Sequence, residues 1–226
     1  VTASNTIQLG SASVTLVQTS GTISATAFVG DGSGLTGINA SVSSSTHLDS
    51  NNTVAIGGVV SATNSVAVGK SALSNNTSGG WNTAVGMYSL LNNTTGISNT
   101  AIGYGTLFTN TSSGNNTANG YAALYNNTTG DGNTANGTMA LYDNTTGDYN
   151  SANGSWALYS NTTGNNNTAI GHYANVGSNN LTNATAIGNG AIVTASNTIQ
   201  LGSASVTLVQ TSGTISATAF VGDGSG

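Results

Sequence analysis

Charged residues are almost missing from this 226-residue chain. Lys70 is the single basic residue, and all six acidic residues are aspartates. Charged side chains therefore make up 3% of the sequence, whereas ordinary globular domains carry about a quarter. Because binding a phosphate backbone requires several basic groups, the composition argues against nucleic-acid binding. It also provides no polybasic patch for an anionic membrane surface.

Cysteine and proline are absent, and no long apolar run occurs. Without cysteine the chain has no disulfide framework, thiol nucleophile or thiolate metal site. Its short apolar runs cannot cross a bilayer as a helix. Glycine, asparagine, serine and threonine dominate, a composition that also occurs in disordered chains. Disorder is the weaker interpretation, because apolar residues return at fixed spacings that a disordered chain has no reason to keep.

Two repeats organise the sequence. Residues 193–226 duplicate residues 1–34 without a change. This duplication predicts one 192-residue unit followed by the start of the next in a longer tandem array, with a duplicated tag as the alternative. Inside the unit, the phrase N-T-A-x-G-x-x-A-L-x-N-N-T-T-G-x-x recurs every 17 residues. The glycines of its A-x-G segment are Gly69, Gly86, Gly103, Gly120, Gly137, Gly154, Gly171 and Gly188.

The 17-residue period predicts the fold. Frequent glycine and the lack of a 3.6-residue apolar stripe exclude helices. The phrases T-A-x-G and x-x-A-L-x each read as a short strand, and N-N-T-T-G reads as a turn. We therefore predict an all-β fold, a parallel β-solenoid or β-roll with two strands and two turns in each coil. Its thin core would lie between the two strand faces, and coils would stack at about 4.8 Å.

Stacked coils should align side chains into ladders, meaning columns of residues at the same position of successive coils. Leucine and alanine ladders would form the core, and asparagine amides would hydrogen-bond along their ladders. Aromatic rings would stack, or would form a stripe that binds sugars or surfaces. The ladders are Leu73, Leu90, Leu107, Leu124, Leu141 and Leu158; Asn76, Asn93, Asn110, Asn127, Asn144 and Asn161; Asn82, Asn99, Asn116, Asn133, Asn150 and Asn167; and Phe108, Tyr125, Tyr142 and Tyr159.

The variable residue of A-x-G forms a ladder of mixed character, which we call the A-x-G ladder. Apolar residues at both ends flank three asparagines in the middle. If this ladder faced solvent, its apolar members would stay unburied. If it faced a sealed core, its asparagines would lack hydrogen-bond partners. A face buried between identical chains around an axis reconciles both, because rings of asparagine can bond to one another and fix register. The predicted axis residues are Val68, Val85, Ile102, Asn119, Asn136, Asn153, Ile170 and Ile187.

The segments outside the 17-residue repeat predict a different local structure. N-T-I-Q-L-G at 197–202 should close the solenoid with a shorter 14-residue step. Residues 205–210 and 214–221 then alternate like the strands of a hairpin around a glycine-containing turn. We therefore divide the chain into a connector or capping segment at 1–50, a solenoid at 51–192 and a second connector at 193–226. The two connector copies should share one fold.

Catalytic and metal-binding constellations are not apparent in the sequence. His47 and His172 have no ligand-spaced partners. Asp131 and Asp148 share a position in the repeat and could hold a cation, but two carboxylates are few for an oxygen cage, and solvated turn residues are the simpler interpretation. We therefore predict no enzyme activity, no cofactor and no bound metal.

Several phrases resemble a known family. Asn64–Gly69 (NSVAVG), Thr53–Gly57 (TVAIG) and Ala169–Gly171 (AIG) resemble the head repeats of trimeric autotransporter adhesins, which build a parallel β-roll from three chains. Ala217–Gly226 (ATAFVGDGSG) resembles linkers of long surface adhesins, phage tail fibres and the hook-like filaments that gliding bacteria export through a type IX system. Two departures are the longer 17-residue period and the lack of a heptad stalk in residues 1–34 and 193–226.

The resemblance implies a function. It implies a structural repeat of an extracellular, cell-surface adhesive filament, assembled from three or more identical chains and attached to an unidentified surface or receptor. A phage or contractile-system tail fibre is the main alternative. An ice-binding solenoid is a weaker one, because ice-binding faces favour T-x-T within a strand and the Thr-Thr pairs here were expected in turns.

Overall fold

The computed structural model describes residues 65–206, together with residues 208, 210 and 212. This part of the chain is all β and contains no helix. Eleven short strands follow one another along the sequence. They are β1 (Val66–Val68), β2 (Thr83–Val85), β3 (Thr100–Ile102), β4 (Thr117–Asn119), β5 (Thr134–Asn136), β6 (Ser151–Asn153), β7 (Thr168–Ile170), β8 (Asn175–Val176), β9 (Thr185–Ile187), β10 (Ile192–Val193) and β11 (Ile199–Leu201).

One parallel sheet of nine strands runs the length of the described chain in the order β1-β2-β3-β4-β5-β6-β7-β9-β11. Its register advances by one repeat per strand, so that Ala84 pairs with Ala101 and Ala101 with Ala118. The last step is shorter, because Gln200 pairs with Ala186. The predicted parallel solenoid, its 17-residue coils and its closing step of 14 residues are thereby confirmed.

Alanine and leucine form the core. In each T-A-x strand the alanine points inward, and every one of these alanines is buried, with an exposed fraction no greater than 2%. The leucine ladder is equally buried, at 0–1%. Because each coil contributes only small and medium side chains, the interior is one thin layer that repeats along the stack.

The predicted second strand is wrong for the coils that carry the leucine ladder. The A-L phrase forms two consecutive turns, in which the Ala72 N–H donates to the Gly69 carbonyl and the Asn76 N–H donates to the Leu73 carbonyl. The leucines adopt left-handed backbone conformations with φ of 48–52°. Their N–H groups still bond to the next coil, as Leu124 does to the Ala140 carbonyl at 3.0 Å. The core therefore lies between one sheet and a column of turns.

A second strand pair occurs near the end of the stack, where β10 pairs with β8 in parallel. Asn175 and Val176 follow the phrase H-Y-A, where other coils carry leucine after the alanine. This coil therefore has the two-strand form that the sequence predicts for every coil.

Most of the predicted connector lies outside the described residues. This applies to all of residues 1–50, to the first copy of the duplicated segment and to the predicted strand at 214–221. The described residues within 205–210 form no strand. The division into connector, solenoid and connector, and the shared fold of the two copies, therefore stay predictions.

Candidate interaction surface

The eight residues of the A-x-G ladder lie on the outer face of the nine-stranded sheet. Because side chains alternate along a strand, the buried alanine places the residues on either side of it on the outside. Ile102 is 42% exposed, Ile170 47% and Ile187 38%. Asn119 and Asn153 are also exposed, and the other members are half-buried. The structure thus brings all eight predicted residues onto one face, which is open to solvent in a single chain.

This face has three zones along the solenoid. Three aliphatic residues come first, three asparagines follow, and Ile170 and Ile187 continue the ladder to Leu201 of β11, which is 46% exposed. The sequence of zones therefore reads the same from either end. At about 4.8 Å per coil, the nine members extend over about 38 Å.

A second outer ladder lies beside it and was not among the predicted residues. It contains the residue before each inward alanine: Val66, Thr83, Thr100, Thr117, Thr134, Ser151, Thr168, Thr185 and, in β11, Ile199. Val66 is 51% exposed and Ile199 68%, so this ladder is also apolar at both ends. Its signal in the sequence was the threonine of N-T-A at the same period.

The asparagines of the outer face differ from those of the interior. Within the described residues, the side chains of Asn119, Asn136 and Asn153 make no hydrogen bond to the chain. In the first interior ladder each amide bonds to the one before it, as Asn93 does to Asn76 at 2.7 Å and Asn144 to Asn127 at 2.8 Å. The predicted bonding along this ladder is confirmed.

In the second interior asparagine ladder, the side chains bond mainly to backbone groups. The prediction of amide-to-amide bonding is therefore wrong for most of this ladder. The N–H of Asn99 donates to Asn82 Oδ1 at 2.9 Å, and Asn82 Nδ2 donates to the Gly96 carbonyl at 2.7 Å. Asn150 and Asn133 add one amide–amide bond at 3.1 Å. No buried side-chain polar atom of the described residues lacks a partner.

The aromatic ladder is stacked face to face. Ring centroids are 4.8 Å apart for Phe108 and Tyr125, and 5.3–5.4 Å apart in the two pairs that continue to Tyr142 and Tyr159, with interplanar angles of 1–14°. Each inner ring therefore has both faces covered by neighbours. Because a sugar ring stacks on an open aromatic face, this geometry favours the stabilising role over the sugar-binding stripe.

Further aromatic pairs flank this ladder and were missed. Tyr104 stacks on Tyr121 at 5.2 Å, and Trp156 stacks on Tyr173 at 5.5 Å. Tyr121 is 51% exposed. Tyr104 and Tyr121 immediately follow the A-x-G glycines, whereas Trp156 and Tyr173 lie one position further along the repeat. Their sequence signal is weak, because neither position is regularly aromatic: the first also holds threonine, serine and asparagine, and the second also holds glycine, alanine and methionine.

The phenol groups of the stacked ladder are harder to ionise than free tyrosine. Burial is the main cause for Tyr125, Tyr142 and Tyr159, and raises the pKa of each above 10.0. Neighbouring negative groups add to it: the Tyr142 phenolate raises the pKa of Tyr125, and the Asp143 carboxylate raises the pKa of Tyr159.

The two aspartates considered for a cation accept backbone hydrogen bonds. Asp148 Oδ1 accepts from the Asp131 N–H at 2.7 Å, and Asp131 Oδ1 accepts from the Gly114 N–H at 2.6 Å. Within the described part of the chain, no three histidine, cysteine or acidic residues gather as a metal site would require. His172 Nδ1 lies 3.1 Å from Asn189 Oδ1 in the next coil, and His47 lies outside the described residues.

In comparisons with known proteins, no family model, curated protein or solved structure matches the chain. Among the described residues, no helix is long and apolar enough to cross a membrane.

Proposed function

We propose that this chain is a structural repeat of an extracellular adhesive filament, in which three or more identical chains surround a common axis and tandem units follow one another along it. The observation that carries the proposal is the outer face of the nine-stranded sheet. It is regular over its whole length and exposes aliphatic side chains at both ends.

The chemistry of this face supports association between identical chains. Ile102, Ile170 and Ile187 are 38–47% exposed on it, and contiguous exposed apolar residues mark interaction sites in soluble proteins. With Asn136 and its two neighbours between the apolar zones, a chain displaced along the axis would place amides against aliphatic groups. Chains that align coil with coil keep aliphatic against aliphatic and amide against amide, which avoids leaving amides unpaired.

The size of the face supports more than two chains. A strip about 38 Å long and about 10 Å wide offers about 400 Å², and a stable pair buries about 800 Å² on each partner. One such strip is too small for a stable dimer. In a ring each chain contacts two neighbours, so the sheet face and the adjoining Tyr104 and Tyr121 would both be covered.

The repeat supports a filament. Each coil contacts only its neighbours, so coils can be added without changing the core. The recurrence of residues 1–34 at 193–226 would allow the next unit to follow in the same way. With so few charges, attachment to a surface would depend on the hydroxyl and amide groups of the turns more than on ion pairs, and should therefore respond weakly to salt.

Cysteine crosslinking tests the assembly, because the natural chain has no cysteine. Asn136→Cys lies at the centre of the proposed axis, and Thr146→Cys is the control on an exposed turn away from it. Mild oxidation should link Asn136→Cys chains to one another and leave Thr146→Cys chains unlinked. Sedimentation of the unsubstituted protein at micromolar concentration should give an oligomer. A folded monomer, or equal linking of both variants, would refute the common axis.

Electron microscopy and a binding assay test the filament itself. Proteins with one, two and four 192-residue units should differ in length by a constant increment per unit and should bind to cells or surfaces increasingly well. A globular particle whose length does not grow with unit number would refute the filament, and equal binding by all three would refute the adhesive role.

A further inference from the structure

The three asparagines of the outer face are each followed by glycine. The pairs are Asn119-Gly120, Asn136-Gly137 and Asn153-Gly154. Both interior asparagine ladders avoid this pairing, since nearly all of their members precede threonine. The remaining Asn-Gly pair, at 189–190, lies in a turn outside the sheet and is not part of the ladder.

The fold imposes glycine at these positions. Gly137 has φ of +138°, and a Cβ atom there would lie 2.5 Å from the carbonyl oxygen of Gly154 in the next coil. No other residue fits without displacing the backbone of the neighbouring coil. An asparagine in the A-x-G ladder must therefore precede glycine, whereas valine or isoleucine in the same place carries no reactive amide.

Asn-Gly pairs are chemically labile, and asparagine is among the thermolabile residues. The glycine backbone nitrogen attacks the asparagine Cγ, a C–N bond forms, and the side-chain nitrogen leaves as ammonia. Water then opens the cyclic imide at either carbonyl and yields aspartate or isoaspartate. Water is the only other reactant. Glycine accelerates the attack because it has no side chain to obstruct the ring.

The folded chain holds each pair away from this reaction. The N–H of Gly137 donates to the Asn119 carbonyl at 2.8 Å, and the N–H of Gly154 donates to the Asn136 carbonyl at 2.8 Å. The asparagines lie in β4, β5 and β6, which are paired on both sides. The nitrogen is thus engaged, and the strand cannot rotate about the asparagine ψ to bring nitrogen and Cγ together without breaking the sheet.

We propose that Asn119, Asn136 and Asn153 are fold-guarded deamidation sites, which stay intact in the folded coil and convert to carboxylates during time that the chain spends unfolded. Conversion would place up to three negative charges in one ladder, about 4.8 Å apart. Like charges on directly opposed strands destabilise a sheet, so aged chains would refold poorly. If the A-x-G ladder lines the axis of the proposed filament, they would also be excluded from assembly.

Peptide mass spectrometry tests the guard directly. The protein is incubated at mildly alkaline pH with and without urea, and deamidation is followed at each of the three pairs. We expect the folded protein to react about 100-fold more slowly, equivalent to a local opening free energy of about 2.8 kcal/mol. Similar rates in both states would overturn the proposal. This measurement does not depend on whether chains assemble.

A triple variant tests the proposed effect of deamidation on refolding. Replacing all three asparagines with glutamine keeps the amides but disfavours the five-membered ring. After equal time in urea, the unsubstituted chain should recover less of its folded circular dichroism signal than the glutamine variant. Equal recovery, with deamidation confirmed by mass, would overturn the proposed effect on refolding. Recovered chains that sediment as monomers in both proteins would count against the proposed filament and leave the guard standing.

Discussion

Replacing Gly137 with alanine tests how closely successive coils approach. Gly137 immediately follows β5 in the middle of the sheet, and its φ of +138° lies in a region that side-chain-bearing residues rarely adopt. An added Cβ would lie 2.5 Å from the Gly154 oxygen and 2.6 Å from the Gly154 carbon. Both are backbone atoms of a coil that is itself bonded to the next, so they cannot move aside independently.

The expected change in the free energy of unfolding combines two destabilising effects and one smaller stabilising effect. A non-glycine residue in this backbone conformation costs about 1–3 kcal/mol. Overpacking against backbone adds about 1–3 kcal/mol. Alanine also restricts the unfolded chain, which offsets about 0.4–1 kcal/mol. We therefore expect Gly137→Ala to lower the free energy of unfolding by about 2–5 kcal/mol.

Gly105→Ala is the matched control. Gly105 also has a positive φ, +61°, but its nearest neighbour would be the Tyr125 side chain at 3.2 Å. Ala122, one coil further along, adopts φ of 53° at the equivalent position, so the fold accepts alanine there. This variant should lower the free energy of unfolding by about 1 kcal/mol, which is the backbone cost of a left-handed alanine less its restriction of the unfolded chain.

Urea unfolding followed by circular dichroism measures both variants at one protein concentration, because association would shift the midpoint. The midpoint should fall clearly further for Gly137→Ala than for Gly105→Ala, with a similar slope, because only Gly137→Ala adds a clash with backbone atoms. Equal movement of the two midpoints would refute the close contact between neighbouring glycines.

Three further predictions concern the ladders. Asn127→Asp removes an amide donor that bonds Asn110 Oδ1 at 3.1 Å and buries a carboxylate. In urea unfolding it should lower the free energy of unfolding by several kcal/mol. Asn136→Asp, on the outer face, is the control and should lower it by under about 1 kcal/mol. Deleting residues 120–136, one whole repeat, should leave a folded, slightly shorter solenoid by circular dichroism, whereas deleting 16 of them should not, because the ladders would lose register. The free energy of unfolding should stay constant below about pH 10 and fall as pH rises through the raised pKa values of the stacked tyrosines, because the tyrosines of the unfolded chain ionise more readily. When Tyr125, Tyr142 and Tyr159 are replaced by phenylalanine, fluorescence-monitored unfolding should show this loss beginning at a higher pH.

The period and the ladders were predictable because they are properties of spacing. Once Ala84, Ala101 and Ala118 recur every 17 residues, a parallel stack with that register is the arrangement that buries them all. The same reasoning gave the leucine core and the hydrogen bonding of the first asparagine ladder. The short closing step at β11 followed from the spacing between Gly188 and Gly202. None of these inferences needed the shape of a single coil.

The backbone conformation within one coil was harder to predict, because a phrase of four or five residues is compatible with a strand or with turns. Leu73 and its equivalents stand in short apolar phrases that resemble strands, yet they adopt left-handed backbone conformations in turns. Leucine in that conformation is intrinsically unfavourable by about 1–2 kcal/mol. Complete burial of the side chain contributes about 1.5–3 kcal/mol and offsets it. Tertiary packing therefore decides the local structure, and single-sequence propensity cannot show that.

The two sides of each strand also explain where variation can accumulate. The inward alanine is invariant in β1 to β7 and in β9, because any larger residue would have to displace the leucine ladder opposite. The A-x-G ladder residue points away from the core and is exposed or half-buried, so it can change from valine to asparagine and back without disturbing the core. A solenoid built this way holds its fold with one set of positions and leaves the outer face to vary coil by coil. The zoned A-x-G ladder is such a variation, and its order, aliphatic then amide then aliphatic, is not required by anything inside the chain. In the proposed assembly, the order of the zones would align the neighbouring chains that meet this face coil with coil.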